Sequence, residues 1–413
     1  MLPSENKYNQ SWMIKAGFGV FIAFYLLSSF SKAAINFFFI GAYCLAIASI
    51  SLNGRAFLQH KPLIRILFYP LGFGLVVSVF SETGGFVALG DYINFFKFYI
   101  LPLSFAVLIR DKKGTQWLLV MAVISALIAT IYGFYHAEQR VFAGFHGYFD
   151  WGRTPDMLMT ITLACMVFID DGAFRKRNPQ LSIALAVLIP LFLFAIFMSS
   201  IRGTWVGLTV AVLGYALIFN RKWLIPLILI AAVMMLLPGN TAAILEVKSI
   251  LDFETHISNN SRFHLWKTGL DFSLQNFWFG TGEQWIKQGF LDFFAAKPEG
   301  YQQIYHLAAQ YPGNFHNSYL QIFIQWGMLT FAALVFGFSQ FIRNLVGVLH
   351  STTPEKAVHI RAFLIVTIGF LVSQFFHGDL YSYGSTIYFL FLYSTIQVAS
   401  GSDDSDINLY SMR

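Results

Sequence analysis

Residues 181–220 read LSIALAVLIPLFLFAIFMSSIRGTWVGLTVAVLGYALIFN, two long apolar runs separated by the short polar stretch at 199–202. Apolar runs of about twenty residues are long enough to cross the hydrocarbon core of a bilayer as helices. Because almost nothing separates the two runs, they predict a tight helical hairpin with Arg202 in its turn. We therefore expect an all-α integral membrane protein.

The composition of the whole chain agrees with this class. Of its 413 residues, 56% are hydrophobic and 12% are charged, and the mean hydropathy is +0.60. Soluble domains carry about 25% charged residues, so a soluble globular protein is excluded. The 46 phenylalanines fit a lipid-facing surface, and Cys44 and Cys165 both lie in apolar runs as small hydrophobic residues. The net charge of +6 arises from short basic loops, so it does not indicate nucleic-acid binding.

We predict about twelve transmembrane helices from the hydropathy pattern. They lie near residues 13–31, 34–52, 63–81, 94–109, 115–135, 155–170, 181–200, 203–220, 223–239, 316–342, 359–376 and 382–398. The predicted domains are the first nine helices in residues 1–239, a loop at 240–315, the last three helices in 316–398 and a tail at 399–413.

The distribution of Lys and Arg predicts the orientation, because cytoplasmic loops are enriched in both. With both termini in the cytoplasm, the outside loops hold few basic residues and the loop at 240–315 is outside. The inside segments then collect Arg55, Lys61, Arg65, Arg110, Lys112, Lys113, Arg175, Lys176, Arg177, Arg221, Lys222, Arg343, Lys356 and Arg361. Asp170 and Asp171, on the inside, are interpreted as part of a solvated loop.

The loop at 240–315 is longer than an ordinary connection, so we expect it to be partly ordered and functional. Phe263, Trp266, Leu270 and Leu274 follow one another at helical spacing and predict an amphipathic helix on the membrane surface. Glycines at 280 and 282 break the pattern before Glu283. The loop is expected to form a lid over the outer mouth of the helical bundle.

Several short motifs resemble those of the O-antigen ligase and polymerase superfamily. They are the arginine- and glycine-containing stretch at 199–205, Asn260-Ser261-Arg262 with Trp266, the glycine turn at 279–282, and His316-Asn317-Ser318-Tyr319-Leu320 with Gly327. The resemblance is best over about 190–335, and it rests on the order of the motifs and their common outside face. It implies an architecture similar to the multi-helix membrane glycosyltransferases of the GT-C type.

The resemblance also implies a reaction. A glycan on undecaprenyl diphosphate, the donor, is transferred to an acceptor hydroxyl with inversion at the anomeric carbon. Guanidinium groups match phosphate oxygens, so Arg202 and Arg262 are expected to bind the diphosphate and stabilise it as the leaving group. Neutral His316 is the expected general base for the acceptor hydroxyl. The site would then lie on the periplasmic face of a bacterial inner membrane.

Other polar residues predicted on the same side are candidates for contacts with the diphosphate or the glycan. They are Arg140, Arg153, Glu283, His377 and Asp379. The outside histidines form no metal-ligand pattern and no paired carboxylates follow the motifs, so we predict a metal-independent enzyme without a cofactor.

Within the superfamily we expect a ligase whose acceptor is lipid A–core in lipopolysaccharide biosynthesis. The alternatives are an O-antigen polymerase and a protein O-oligosaccharyltransferase; members of the latter type usually carry an extra C-terminal region outside the membrane. A more distant alternative is a transporter or flippase for lipid-linked glycans. It would be expected to carry mid-span charges and two related halves, neither of which is evident.

Overall fold

The computed structural model of the protein describes residues 62–97, 153–199, 201–225, 257–310 and 312–376, most of 120–131, and scattered positions at 41, 44, 228 and 388–396. Every regular element within these residues is a helix. This confirms the predicted all-α class for the described part of the chain.

Eleven helices are long enough to label within the described ranges. They are α1 (Pro62–Ser78), α2 (Gly85–Phe95), α3 (Arg153–Asp170), α4 (Gly172–Arg177), α5 (Pro179–Met198), α6 (Arg202–Ile218), α7 (Ile257–Ser273), α8 (Glu283–Ala295), α9 (Glu299–Ile304), α10 (Ser318–Ser351) and α11 (Pro354–Ser373). Single 3-10 turns at Arg221–Trp223 and His306–Gln310 complete the set.

Three stretches in these helices are long and apolar enough to cross a membrane: Pro179–Phe197, Ser318–Ser351 and Lys356–Ser373. The stretches Ile66–Ser78 and Arg202–Ile218 are apolar but shorter. Together these apolar helices indicate a multi-pass membrane protein. The remaining predicted spans lie largely outside the described residues, so the count of twelve stays a prediction.

The structure corrects the predicted edges of the last long spans. Helix α10 continues to Ser351, and α11 begins at Pro354, so only two residues separate them. Arg343 and Lys356, which the predicted edges left between the two spans, therefore lie within helices. Hydropathy alone ends a span at its first charges, whereas the backbone hydrogen bonds of a helix continue past them.

The spans pack into one bundle around a shared apolar core. Helix α6 packs against α11, α11 against α3, α3 against α5, and α10 against α1. Glycines permit close approaches between these helices: a methyl group at Gly207 would lie 2.5 Å from the carbonyl oxygen of Gly369. The core includes the buried side chains of Leu158, Phe192, Ala211, Phe341 and Val366.

The bundle has two chemically different ends. We call the starts of α3, α6 and α10 together with the end of α11 the site end, because Arg202 and His316 lie there. We call the end of α3, the end of α6 and the start of α11 the basic end, because Arg175, Lys176, Arg177, Arg221 and Lys222 adjoin it. Five basic residues thus adjoin this end of the bundle.

The interpretation of Asp170 and Asp171 as a solvated loop was wrong. The carboxylate of Asp170 accepts hydrogen bonds from the hydroxyl of Tyr215 (2.6 Å) and the amide of Asn220 (2.7 Å). Asp171 accepts from the backbone N–H of Phe174 and forms an ion pair with Arg361 at 2.9 Å. The two carboxylates tie α3, α6 and α11 together at the basic end.

The described part of the long loop has an apolar core of its own. Leu265 and Phe272 on α7 pack with Phe290 on α8, with Phe315, and with Leu320 and Ile324 on α10. The opposite side of α7 exposes Phe263, Leu270 and Leu274, with Trp266 half-buried between the two sides. The loop is therefore a compact helical unit seated on the start of α10, and it presents an apolar surface outward.

Candidate functional site

The structure contains the predicted hairpin between α5 and α6, but Arg202 is the first residue of α6 rather than part of the turn. The hydroxyl of Ser199 donates to the carbonyl of Ile196 (2.6 Å) and accepts from the N–H of Ile201 (3.3 Å), which closes the turn. The indole of Trp205 also donates to Ile196, at 2.9 Å. These local bonds set the direction in which the guanidinium of Arg202 leaves the bundle.

Helix α7 brings the second arginine to the first. A guanidinium nitrogen of Arg202 donates to the side-chain oxygen of Asn259 at 3.2 Å. Arg262 follows Asn259 by three residues, so both side chains lie on one face of α7. Burial lowers the pKa of Arg262, and the charge of Arg202 lowers it further. The two guanidiniums are therefore close enough to repel one another.

Backbone geometry around His316 is unusual. With φ of 47°, His316 is the non-glycine residue with positive φ among those the structure describes. Its N–H donates to the side chain of Asn314 (3.1 Å), and Asn317 caps α10 by accepting from the N–H groups of Tyr319 and Leu320. Such outliers cost free energy and cluster at functional sites.

The segment before His316 is held by side chains from two helices. The indole of Trp266 donates to the carbonyl of Phe315 at 2.9 Å. Gln321 accepts from the N–H of Phe315 (3.2 Å) and donates to the carbonyl of Gly313 (3.0 Å). Burial lowers the pKa of His316, and the charge of Arg262 lowers it further. The imidazole is thus neutral at neutral pH and lies in the field of an arginine.

The glycine turn docks on a break in α10. At Gly327, φ is 74° and ψ is 172°, so the helix is interrupted there. The freed carbonyls of Ile324 and Gln325 accept hydrogen bonds from the N–H groups of Thr281 (3.0 Å) and Gly282 (2.9 Å). A side chain at Gly280 or Gly327 would overlap the opposing backbone. The motif glycines therefore fasten the loop to a discontinuous span.

Glu283 lies in different surroundings from the arginines. Burial raises its pKa, the neighbouring charge of Asp91 raises it further, and Lys97 opposes the shift. Asp91 lies on α2, and the loop before α2 pairs with the glycine turn through the N–H groups of Glu82 and Thr83. Glu283 thus faces α2, whereas Arg202, Arg262 and His316 form one electrostatic cluster.

The remaining predicted contacts are less defined. Arg153 is the first residue of α3, at the site end. Arg140, His377 and Asp379 lie outside the described residues. Among the residues that the structure describes, no group of three or more His, Cys, Asp or Glu side chains could hold a metal ion. The roles assigned to all these residues stay predictions.

Two buried residues at the site end were not singled out from the sequence: Asp156 on α3, and Gln374 just after α11. Their side chains are 3% and 0% exposed and hydrogen-bond to each other at 3.3 Å. The sequence does contain one signal for them, Asp156 itself, because a carboxylate inside an apolar span is costly and commonly functional.

Residues 185–335 match the family described as O-antigen ligase. This stretch begins within α5 and ends within α10, so it contains the hairpin, the long loop and the histidine motif. This match confirms, over residues 185–335, the resemblance that the motifs predicted. No curated protein matches the chain.

Proposed function

We propose that this chain, whose residues 185–335 form an O-antigen ligase family domain, is a ligase that transfers a glycan from undecaprenyl diphosphate to a hydroxyl of lipid A–core. One electrostatic observation carries the proposal. The charge of Arg202 acts on Arg262, and that of Arg262 acts on His316. Two cations beside a neutral imidazole suit an anionic leaving group and a hydroxyl nucleophile.

The diphosphate of the donor is the ligand we assign to Arg202 and Arg262. Guanidinium groups keep their charge at all accessible pH values and match phosphate oxygens in pairs. Their mutual repulsion raises the free energy of the empty site, and a bound diphosphate offsets it. Because the negative charge of the leaving group grows in the transition state, the same cations stabilise that state more than the bound donor.

His316 is the proposed general base. The acceptor hydroxyl transfers its proton to the imidazole as its oxygen bonds to the anomeric carbon. The bond from that carbon to the diphosphate breaks, and the diphosphate leaves with the electron pair, which inverts the configuration. A lowered pKa keeps His316 neutral and able to accept that proton. The arginines supply the positive charge, so the proposed reaction uses no metal ion or cofactor.

Arg140, Arg153, Glu283, His377 and Asp379 are the further residues we propose for contacts with diphosphate or sugar. Of these, Glu283 is supported as a sugar contact by its position beside the glycine turn and its protonatable carboxyl group. We also propose that the protein lies in the bacterial inner membrane with both termini in the cytoplasm. The basic residues at the opposite end support a periplasmic site end.

The test is transfer in liposomes with a lipid-linked glycan, purified lipid A–core and a chelator. Wild type should form high-molecular-weight lipopolysaccharide. His316→Ala should reduce the rate by about 10²- to 10⁴-fold, the usual contribution of a general base. His350→Ala is the matched control, because His350 lies near the other end of the same helix, and its rate should equal that of wild type.

Three results would contradict parts of the proposal. Elongation of the lipid-linked glycan without lipid A–core, and no transfer to that acceptor, would identify a polymerase. Transfer that persists in His316→Ala would remove His316 as the base. Loss of transfer on adding the chelator would overturn metal independence.

A further inference from the structure

A buried carboxylate joins three helices at the site end. One oxygen of Asp156, on α3, accepts a hydrogen bond from the hydroxyl of Thr204 on α6 at 2.7 Å. The other accepts from the side-chain amide of Gln374 at 3.3 Å and lies 3.2 Å from the hydroxyl of Ser373, which it shares with the carbonyl of Phe370 at 3.0 Å. Ser373 and Gln374 are at the end of α11. The two oxygens of one side chain are therefore divided between α6 and α11.

The connection continues to the histidine motif. Gln374 accepts from the hydroxyl of Ser318 with its side-chain oxygen (2.8 Å) and from the N–H of Ser318 with its backbone carbonyl (3.0 Å). Ser318 follows His316 by two residues, just as Thr204 follows Arg202. Each residue of the chain from Thr204 through Asp156 and Gln374 to Ser318 is at most 3% exposed. Solvent therefore competes little with these bonds.

The donors around Asp156 match an ionised carboxylate. Hydroxyls and an amide donate to both of its oxygens, and an ionised Asp has acceptor sites on both. An Asn at the same position would have one acceptor oxygen and would direct an NH₂ group at the donors on the other side. The helices themselves would stay packed, because α6 and α11 also meet one turn deeper at Gly207 and Gly369.

We propose that Asp156 is a positioning residue for the transfer reaction: it fixes the start of α6, which carries Arg202, relative to the start of α10, which follows His316. The proposal rests on the proposed function of those two residues. Asp156 acts through Thr204 and Gln374 and touches no substrate. A displacement of about 1 Å between a base and a leaving-group site is enough to slow a reaction by about 10²-fold.

The experiment compares Asp156→Asn with Asp170→Asn. Both aspartates lie on α3 and accept from side chains on or just after α6, but Asp170 does so at the basic end. Transfer kinetics are measured per folded protein, with the donor concentration varied. We expect Asp156→Asn to lower kcat by about 10- to 100-fold, with KM for the donor nearly unchanged, and Asp170→Asn to leave kcat unchanged.

Thr204 supplies a second pair of variants. Thr204→Ser keeps the hydroxyl and should retain kcat, whereas Thr204→Val removes the hydroxyl at similar volume and should lower kcat. An unchanged kcat in Asp156→Asn, or an equal fall in Asp170→Asn, would overturn the proposal. So would equal kcat values for the Ser and Val variants.

A second readout needs no turnover and so separates this inference from the proposed function. Spin labels at the exposed positions Thr209 and Gln310, with Cys44 replaced by Ser, report the distance from α6 to the segment before His316. Asp156→Asn should broaden or shift that distance distribution, and Asp170→Asn should not. Identical distributions would overturn the positioning role even in a protein that transfers glycan. If wild type transfers no glycan but Asp156→Asn still broadens the distance distribution, the positioning role of Asp156 stands and only the proposed ligase activity fails.

Discussion

The two ends of the bundle handle positive charge in opposite ways. At the basic end, Arg361 meets the carboxylate of Asp171 at 2.9 Å. At the site end, Arg262 lies in the field of Arg202, and His316 lies in the field of Arg262. The first arrangement lowers the free energy of the folded protein, and the second raises it. A fold that retains the second arrangement is prepared for an anion, since functional sites commonly depart from what stability alone would favour.

The two halves of α10 show a similar contrast between a regular part of the fold and a part adapted to the site. Beyond Gly327 the helix is regular to Ser351, whereas the turn before the break gives the carbonyls of Ile324 and Gln325 to the glycine turn. The regular half resembles any apolar span. The half before the break, residues 318–326, follows His316 and holds the glycine turn of the loop that carries Arg262.

The largest effect is expected from Gly327→Ala. Its φ of 74° and ψ of 172° lie in a region that is essentially limited to glycine, and the new methyl group would overlap the carbonyl oxygen of Trp278. We expect the free energy of unfolding to fall by about 3 kcal/mol or more. The fall would be measured as a lower unfolding temperature in detergent.

Gly347→Ala is the control for the regular half of α10. A methyl group there meets no atom within 4 Å. Alanine is the better helix former by about 0.5–1 kcal/mol, so stability should be unchanged or slightly higher. Similar unfolding temperatures for the two variants would show that the break at Gly327 is not needed for the fold.

Charge removal should separate activity from stability at the two ends. Arg262→Gln is expected to lower glycan transfer by about 10²- to 10³-fold, the usual cost of losing one stabilising group for a developing anion. Its unfolding temperature should not fall, because the repulsion from Arg202 disappears. Transfer rate and unfolding temperature are measured on the same preparation.

Arg361→Gln reverses the expectation. It breaks the ion pair with Asp171, in which the side chains of Asp171 and Arg361 are 13% and 26% exposed. The free energy of unfolding should fall by about 1 kcal/mol. Transfer per folded molecule should equal that of wild type. If Arg262→Gln destabilised the protein as much as Arg361→Gln and left transfer intact, the contrast between the two ends would be wrong.

Much of the fold could be predicted from hydropathy because apolar periodicity reports directly on burial in lipid. The hairpin around Arg202 and the span that ends at Asp170 were placed within two residues of the structure. Errors arose at charged residues that bind other helices instead of facing solvent. Asp170 and Asp171 were assigned to solvent, yet both bind side chains of other helices, because residue type alone does not reveal partners distant in sequence.

The site was predictable to the extent that short motifs mark it. Arg202, Arg262 and His316 were chosen from motifs, and the structure places them in one electrostatic cluster. The buried connection through Asp156 and Gln374 was not predicted, because its central hydrogen bond joins residues 218 positions apart. Such a network is formed by packing, and no local pattern encodes it.

The smallest and most specific effect concerns pH. Burial, and then the charge of Arg262, lower the pKa of His316 below its usual value of 6.5. The neutral imidazole is the active form, so kcat/KM should fall only as pH drops through this lowered pKa, and the acid limb should lie below pH 6.5. The same shift stabilises the fold above pH 6.5, and that contribution is lost as pH falls through the folded pKa.

Arg262→Lys keeps the charge and should keep the acid limb of the pH profile at the same pH. Arg262→Gln should move the limb to higher pH but still below 6.5, because burial, the larger cause, remains. The limb is read from transfer rates and, in the slow variant, from the pH dependence of His316 acylation by diethyl pyrocarbonate. A limb at the same pH in all three proteins would mean that Arg262 does not act on His316, and the site end would lose the feature that distinguishes it from the basic end.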